Sequence, residues 1–229
     1  MLMEARKLTK RYSAGRFCRA GGFTLHEADI CLEAGETVGI FGKSGSGKTT
    51  LANLIAGIFP ATSGALFWKG GMIRYPFRGT LRRTVQMVYQ HPEEAFDPLW
   101  TLRQSLLEPY HVHKIPFREE EFAAQLAQVG LYEEHLSRRP DALSGGELQR
   151  AALARVMVMR PELMILDEPV SMLDSISQAQ VLQILRDYQR QYQTAYLFIT
   201  HNKDVMRYMC SRCYFLENGI IVKEEEVQA

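Results

Sequence analysis

The chain has 229 residues, a formal net charge of +1 at pH 7 and a hydrophobic fraction of 46%, enough for one domain, or one domain with a subdomain, around a full apolar core. The balanced charge gives no steering toward nucleic acid or an anionic membrane. We therefore expect no nucleic-acid partner. The sequence also shows neither the apolar segment of a signal peptide nor the run of about 20 apolar residues that spans a bilayer, so we expect a soluble protein.

The first part of the chain contains two strand-like runs, residues 4–12 and 23–33, separated by a segment rich in glycine and arginine, residues 13–22. They predict an antiparallel β layer. Tyr12 ends the first run, and its ring can stack on an adenine base because an aromatic face accepts any base. An ordinary half-exposed strand tyrosine fits the pattern equally well.

Residues 42–49 read GKSGSGKT and match the P-loop pattern G-x-x-x-x-G-K-[ST] at every fixed position. A short apolar run, residues 36–41, precedes the motif and predicts a strand, and residues 50–57 predict a helix that ends at a glycine. Glycines let several backbone N–H groups point at one spot, where the helix N-terminus adds positive potential, so the loop can hold a polyphosphate. Lys48 can reach its β- and γ-phosphates, and the Thr49 hydroxyl can bind Mg²⁺. A glycine-rich turn without a ligand is the alternative, and the flanking elements disfavour it.

The middle of the chain continues with a strand pair in residues 64–75 and a strand in residues 84–89 that ends at Gln90. Helices and polar loops then follow, including an amphipathic helix in residues 117–128. We therefore predict one domain, residues 1–229, with an α/β core in 1–90 and 140–229 and an inserted helical subdomain in 91–139. The His111 to His113 stretch is interpreted as a solvated polar loop and not as a metal site.

Ser144 and Glu147 have the spacing of a capping box, and residues 151–159 continue as a helix. Because free N–H groups and a hydroxyl meet at this Ser-Gly-Gly start, it can be a second anion site. A well-capped helix without a ligand is the simpler alternative.

Two later strands end in polar residues that suit ATP chemistry. Residues 162–167 form a buried strand that leads to Asp167, which can hold Mg²⁺ through its water shell, and to Glu168, which can orient and deprotonate an attacking water. Residues 195–200 lead to His201, which can contact a γ-phosphate. Taken alone, Glu168 could be a surface ion-pair partner and His201 a core histidine.

The rest of the C-terminal part shows a long helix in residues 178–192 and a hairpin of residues 213–217 and 219–222 around an Asn-Gly turn, with a frayed, solvated end at 224–226. The four cysteines predict reduced, partly buried thiols, because the C-x-x-C pair Cys210 and Cys213 lacks the second pair of a zinc site. Alternating strands and helices predict a mostly parallel sheet, at whose carboxyl edge the P-loop, Asp167 and His201 emerge together.

The order of these motifs resembles the ATP-binding subunits of ABC transporters over nearly the whole chain. The matching features are the P-loop, the Q-loop Gln90, the signature in residues 143–149, the strand that leads to Asp167 and Glu168, the D-loop in residues 171–174 and the switch His201. The resemblance implies a RecA-like P-loop NTPase fold and an ATPase that uses ATP and Mg²⁺. It implies catalytic roles for Glu168, His201 and Gln90, and Mg²⁺ binding by Thr49, Gln90 and Asp167. The implied nucleotide-binding set is Tyr12, Gly42, Ser44, Gly45, Gly47, Lys48, Thr49, Thr50, Ser144, Gly145, Gly146 and Asp174.

The segment after Gln90 is similar to the peptide/nickel importer branch of this family, through the run Phe96-Asp97-Pro98 and the later Glu108-Pro109. The C-terminal extension of many peptide importers is missing, so peptide, nickel and a metal chelate all remain open as cargo. The resemblance implies two separate membrane permease subunits docking near residues 90–109, and an extracytoplasmic substrate-binding protein. It also implies a second ATPase subunit, with a heterodimer expected and a homodimer open, and a peripheral location on the cytoplasmic face of the membrane.

Three other classes compete with an importer motor. A non-transport ABC ATPase acting on ribosomes or DNA is the main alternative, but such proteins usually carry two cassettes or long coiled-coil insertions. A small-molecule kinase would not explain the Ser-Gly-Gly helix start or His201. Exporters more often fuse the cassette to membrane spans.

Overall fold

The structure, a computed structural model, describes residues 1–12 and 23–227, so the predicted loop 13–22, with Cys18, lies outside the described residues. The strands are β1 (Met3–Arg11), β2 (Thr24–Leu32), β3 (Thr37–Phe41), β4 (Ser63–Trp68), β5 (Gly71–Ile73), β6 (Val85–Val88), β7 (Leu163–Asp167), β8 (Ala195–Thr200), β9 (Arg212–Glu217) and β10 (Ile220–Glu226). The helices are α1 (Lys48–Ile55), α2 (Leu81–Thr84), α3 (Leu102–His113), α4 (Glu119–Gln128), α5 (Glu133–Leu136), α6 (Gly145–Met157), α7 (Ser175–Tyr192) and α8 (Lys203–Met209). Short 3₁₀ turns occupy Pro92–Ala95 and Pro140–Ala142.

The chain divides into two compact units, of which the first comprises residues 1–82 and 195–229. It contains the predicted antiparallel layer, with strand order β2-β1-β4-β5, and a second set of strands in the order β10-β9-β3-β8. In the second set β3 runs parallel to both β8 and β9. All six residues of β8 are buried, and the first four of β3 are as well. Both strands therefore read as continuous apolar runs, because a strand covered on both faces has no solvent side.

The second unit comprises residues 83–194. Here β6 and β7 pair in parallel, and every residue of β7 is buried. Helix α6 contacts α3 and α7 and buries its apolar side, including Leu148 and Leu153, in the core of this unit. Residues 91–139 contain helices and no strand, and their standing as a separate subdomain remains a prediction.

Within residues 1–12 and 23–227, no helix combines the length and the apolar character that crossing a bilayer requires.

Two local predictions are wrong. His111 and His113 lie in the last turns of α3 and not in a loop. Thr101 is the N-cap of this helix, and its side chain accepts a hydrogen bond from the N–H of Gln104 in a capping box. The helix continues through Pro109. The residues expected to form a frayed end belong to β10, because this strand pairs with β9 up to Glu226.

The cysteine thiols of the first unit give a direct test of burial. Cys210 and Cys213 are buried, whereas Cys31 is half-buried. Burial raises the pKa of Cys213 to about 12 and holds that of Cys210 well above its usual range. Because only the thiolate reacts, we expect iodoacetamide at pH 7.5 to leave these two thiols unmodified in the folded protein and to label them in denaturant, as mass spectrometry would show. Rapid labelling of either thiol without denaturant would contradict the described packing.

Candidate functional site

The P-loop connects β3 to α1 within the first unit. Gly47 precedes the helix with φ of 108°, and no side chain in the described part of the chain caps this N-terminus. A helix start without a side-chain cap is the kind of position that binds an anion. The start of the loop is closely packed and leaves no space for a side chain, because a Cβ atom on Gly42 would lie 2.3 Å from the carbonyl oxygen of Leu216. Gly45, at φ of 76°, has no atom within 4 Å of such a Cβ position, so its outer side is open.

Lys48 folds back over this loop. Its Nζ donates hydrogen bonds to the carbonyl oxygens of Gly42 at 3.0 Å and Lys43 at 3.1 Å, and the residue is 6% exposed. The ammonium group is thus fixed beside the uncapped helix start. The side chains of Ser44 and Thr49 are exposed, and that of Thr50 is half-buried. This arrangement fits a polyphosphate, with the Thr49 hydroxyl accessible to its metal ion.

Tyr12 lies at the end of β1 and is 39% exposed. Its ring centroid is 6.4 Å from that of Phe23, and its N–H donates to the Phe23 carbonyl at 3.0 Å. Phe23 in turn contacts the P-loop, since a Cβ atom on Gly47 would lie 2.5 Å from its Cζ. Phe23 therefore links Tyr12 to the phosphate loop. The sequence analysis did not identify Phe23, although an aromatic residue directly before β2 is a visible signal.

His201 follows β8 directly and is exposed. Phe41 of β3 pairs with Thr200 of β8, so Gly42 and His201 follow neighbouring positions of two parallel strands. The next residue, Asn202, is the N-cap of α8, and its Oδ1 accepts a hydrogen bond from the N–H of Asp204 at 2.9 Å. The structure therefore brings the predicted switch histidine to the P-loop end of β3.

Asp167 and Glu168 lie in the second unit, at the carboxyl end of β7. Asp167 is 3% exposed. Glu168 is half-buried. Its backbone φ is 47°, which is unusual for a residue other than glycine. The N–H and hydroxyl of Ser171 stabilise it by donating to the Glu168 carbonyl at 3.2 and 3.1 Å. Val88 of β6 pairs with Leu166, so Gln90 emerges at the same edge as the two acids.

The Ser-Gly-Gly start of α6 is also in the second unit. The Ser144 Oγ accepts the Glu147 N–H at 3.3 Å, and the Ser144 N–H donates to Glu147 Oε2 at 2.8 Å, which is the predicted capping box. Asp174 caps α7 by accepting the N–H groups of Ile176 and Ser177. Hydrogen bonds from the side chain and backbone of Ser177 hold the pKa of Asp174 below its usual value.

The two glycines of this helix start have different surroundings. A Cβ atom on Gly146 would lie 2.7 Å from the Ser177 Oγ, whereas one on Gly145 would meet nothing closer than the Leu173 Cδ2 at 3.8 Å. Gly146 thus allows α6 and α7 to approach each other, and Gly145 leaves an open face.

This difference predicts opposite effects on stability. We expect Gly146→Ala to lower the free energy of unfolding by about 1–3 kcal/mol through overpacking. The matched variant Gly145→Ala should keep that free energy or raise it by up to about 1 kcal/mol, because alanine favours a helix. Urea unfolding followed by circular dichroism measures both, and an equal loss in the two variants would contradict the described packing.

Comparison with known proteins adds independent information. The family described as ABC transporter matches residues 25–171. The nickel import ATP-binding protein NikE of Escherichia coli O6:K15:H31 is 37% identical over 235 residues, which cover 99% of this chain and 87% of that protein. A dimeric ATP-binding cassette, MJ0796, bound to ADP and Pi matches with a TM-score of 0.87 at 26% identity and full coverage of both chains. The structure of cbiO1 from Clostridium perfringens, part of the cbiONQ ABC transporter complex, matches with a TM-score of 0.82 at 24% identity over 98% of this chain and 88% of that one.

Proposed function

Since the chain belongs to the ABC transporter family, as an ATP-binding subunit with ATPase activity, we propose that it powers the import of nickel or a nickel chelate. The P-loop NTPase fold expected from the sequence is confirmed by the match to MJ0796 over the full chain. The observation that supports this cargo is the 37% identity to a nickel import protein across 99% of the chain. Peptide is the second candidate, because residues 96–98 and 108–109 follow the pattern shared by the peptide and nickel branches.

The proposed nucleotide contacts are centred on the fixed ammonium group of Lys48 and on the start of α1, which has no side-chain cap in the described residues. Lys48 and the N–H groups at the start of α1 bind the phosphates, with Gly42, Ser44, Gly45, Gly47 and Thr50 forming the loop around them, and Tyr12 stacks on the adenine. Thr49, Asp167 and Gln90 are the residues that would hold Mg²⁺, and the ion would supply neutralisation of the charge on the phosphate oxygens.

Hydrolysis is assigned to groups at the ends of β7 and β8. Glu168 orients a water and accepts its proton, while His201 contacts the γ-phosphate and Gln90 completes the water site. The turn from Glu168 to Ser171 fixes the backbone of the proposed base, so little reorganisation is needed when the water attacks.

A second ATPase subunit would complete the reaction. Two helix starts on one chain can bind phosphate, and we propose that Ser144, Gly145, Gly146 and Asp174 serve the nucleotide held by the P-loop of a partner subunit. A heterodimer and a homodimer both satisfy this arrangement. Because the pairing is reciprocal, both sites form together.

The proposed permease contact is a cavity of about 330 Å³ in the second unit. Its walls are largely apolar and include Met87, Val88, Val112, Ala152, Val156 and Met159. Arg155 and Glu108 form an ion pair in the lining, and the polar side chains of Gln86, Tyr89 and His113 also line the cavity. We propose that a short cytoplasmic helix of a permease subunit inserts here, close to residues 90–109, and holds the ATPase at the cytoplasmic face of the membrane. A substrate-binding protein outside the membrane would deliver the cargo.

A charge at the rim of this cavity tests the docking proposal. Val112 is 65% exposed, and Val222 on β10 is a matched valine at 55%. We expect Val112→Glu to reduce co-purification with the permease subunits at least about tenfold, since a carboxylate is costly to bury. Val222→Glu should leave it unchanged, and ATP binding should persist in both. Equal co-purification of the two variants would contradict this docking site.

The cargo is tested by uptake in the native host. Cells carrying only a Glu168→Gln form of the protein should accumulate less nickel than wild-type cells while peptide uptake stays normal. Normal nickel uptake with impaired peptide uptake would replace nickel by peptide and leave the ATPase assignment standing.

A further inference from the structure

His135 is a buried histidine that the reaction described above does not use. It lies in the four-residue helix α5 and is only 5% exposed. Its Nε2 is 3.2 Å from Oε1 of Glu147, the residue that completes the capping box of α6. A chain of polar contacts therefore runs from the interior of the second unit to the serine at the start of α6.

The contacts of the ring place a hydrogen on Nε2. This atom is 3.2 Å from Oε1 of Glu147, and because an ionised carboxylate can only accept, Nε2 donates to it. Nδ1 lies 3.0 Å from the backbone nitrogen of Tyr132 and 3.2 Å from the carbonyl oxygen of the same residue. The charged and titratable groups at His135 are this carboxylate, on α6, and the Tyr132 phenol, whose ring centroid is 6.0 Å away.

Glu147 transmits this constraint to Ser144 through both of its oxygens. Oε1 accepts from His135, and Oε2 accepts the N–H of Ser144 at 2.8 Å. The backbone N–H of Ser144, together with the Ser144 and His135 side chains, holds the pKa of Glu147 below its usual value, so the carboxylate stays ionised and keeps both bonds. The Ser144 Oγ in turn accepts the N–H of Glu147. This bond holds the Ser144 Oγ at the helix start, where its rotatable hydroxyl can donate to a ligand.

We propose that His135 is a positioning residue for phosphate binding at Ser144: it fixes the Glu147 carboxylate, which orients Ser144 so that its hydroxyl donates to a phosphate oxygen of the partner-held nucleotide. This inference rests on the proposed role of Ser144 and names a residue that acts through two hydrogen bonds without touching the nucleotide. Glutamine at this position can place a donor near the site of Nε2, whereas leucine fills a similar volume with no donor. The pair of substitutions therefore separates hydrogen bonding from packing.

The test uses the full-length ATPase with Glu168→Gln as background, so that ATP-driven association can be followed by light scattering without turnover. We expect His135→Leu to weaken ATP-driven association about tenfold, the scale of one hydrogen bond to a charged group. His135→Gln should recover most of this loss. Ser144→Ala is the reference for a lost phosphate contact, and Leu136→Ala, at a buried neighbour in the same helix, reports the effect of destabilising α5 alone.

Each outcome decides a different point. Loss with leucine, recovery with glutamine and no loss with Leu136→Ala support the positioning role. Loss with Ser144→Ala but none with His135→Leu overturns that role and leaves the proposed function intact. Equal losses in the leucine, glutamine and Leu136→Ala variants also overturn it, because packing would then explain them. Unchanged association in Ser144→Ala removes the proposed phosphate contact and, with it, the role of His135.

Discussion

Lys48→Ala is expected to lower the rate of ATP hydrolysis by at least about 10²–10³-fold, the cost of removing one preorganised donor from a charged transition state. The ammonium group is buried and fixed between the Gly42 and Lys43 carbonyls, where it can meet phosphate oxygens without first being ordered. Binding of ATP should weaken as well, since the same group contacts the ground-state phosphates. Phosphate release assays and titration with a fluorescent ATP analogue measure the two effects.

Lys43→Ala is the matched control for this substitution. Lys43 lies in the same loop and is exposed, so its removal changes the loop charge equally without removing the fixed donor. Its hydrolysis rate should stay within about twofold of wild type, as is usual for surface substitutions. Similar losses in the two variants would show that loop charge and not a positioned ammonium supports activity.

Glu168→Gln is expected to lower hydrolysis by about 10²–10⁴-fold, the contribution of a general base, while ATP binding is retained. Because the amide cannot accept the proton of the attacking water, ATP should remain bound and hold two subunits together. Size-exclusion chromatography with ATP and Mg²⁺ should then show a stable dimer. ATP hydrolysis at the wild-type rate by this variant would contradict the assignment of Glu168 as the general base.

Glu162→Gln serves as the control, because Glu162 lies just before the amino end of β7, the strand that Asp167 terminates. The substitution makes the same chemical change at the opposite end of the strand. This variant should hydrolyse ATP normally and form no trapped dimer. A trapped dimer in both variants would indicate a general effect of lost negative charge.

Much of the site could be predicted because its groups are adjacent in the sequence. The P-loop is a single run whose spacing carries its chemistry, and Asp167 with Glu168 simply ends an apolar strand. The same holds for the capping box of Ser144 and Glu147, which lies within one helical turn. For such features local spacing already determines which atoms meet.

Contacts between distant segments were not predictable in this way. Phe23 reaches Gly47 across 24 residues, and His135 reaches Glu147 across 12, so no local pattern marks either pair. The acids of residues 224–226 were expected to form a frayed, solvated end because their sequence is highly charged, and they are exposed but not frayed. In the structure Glu224 receives a hydrogen bond from Arg212 at 2.6 Å, and β10 continues past it.

Helix α3 contains a proline that a helix interior does not normally accommodate. Pro109 lies inside this helix, where proline removes a hydrogen-bond donor and usually marks a boundary. The capping box at Thr101 and Gln104 marks the start of this helix, and only the prediction of a polar loop at residues 111–113 is wrong. Burial of Leu102, Leu106 and Tyr110 on one side of α3 supports the helix despite the proline.

The central claim is that this ATPase drives import through a membrane complex, and affinity purification from gently solubilised membranes of the native host tests it most directly. Recovery of the tagged chain with two permease subunits and a second ATPase subunit is the expected result. Recovery only from the soluble fraction, bound to ribosomes or DNA and without any membrane protein, would contradict the import function and leave only the ATPase chemistry.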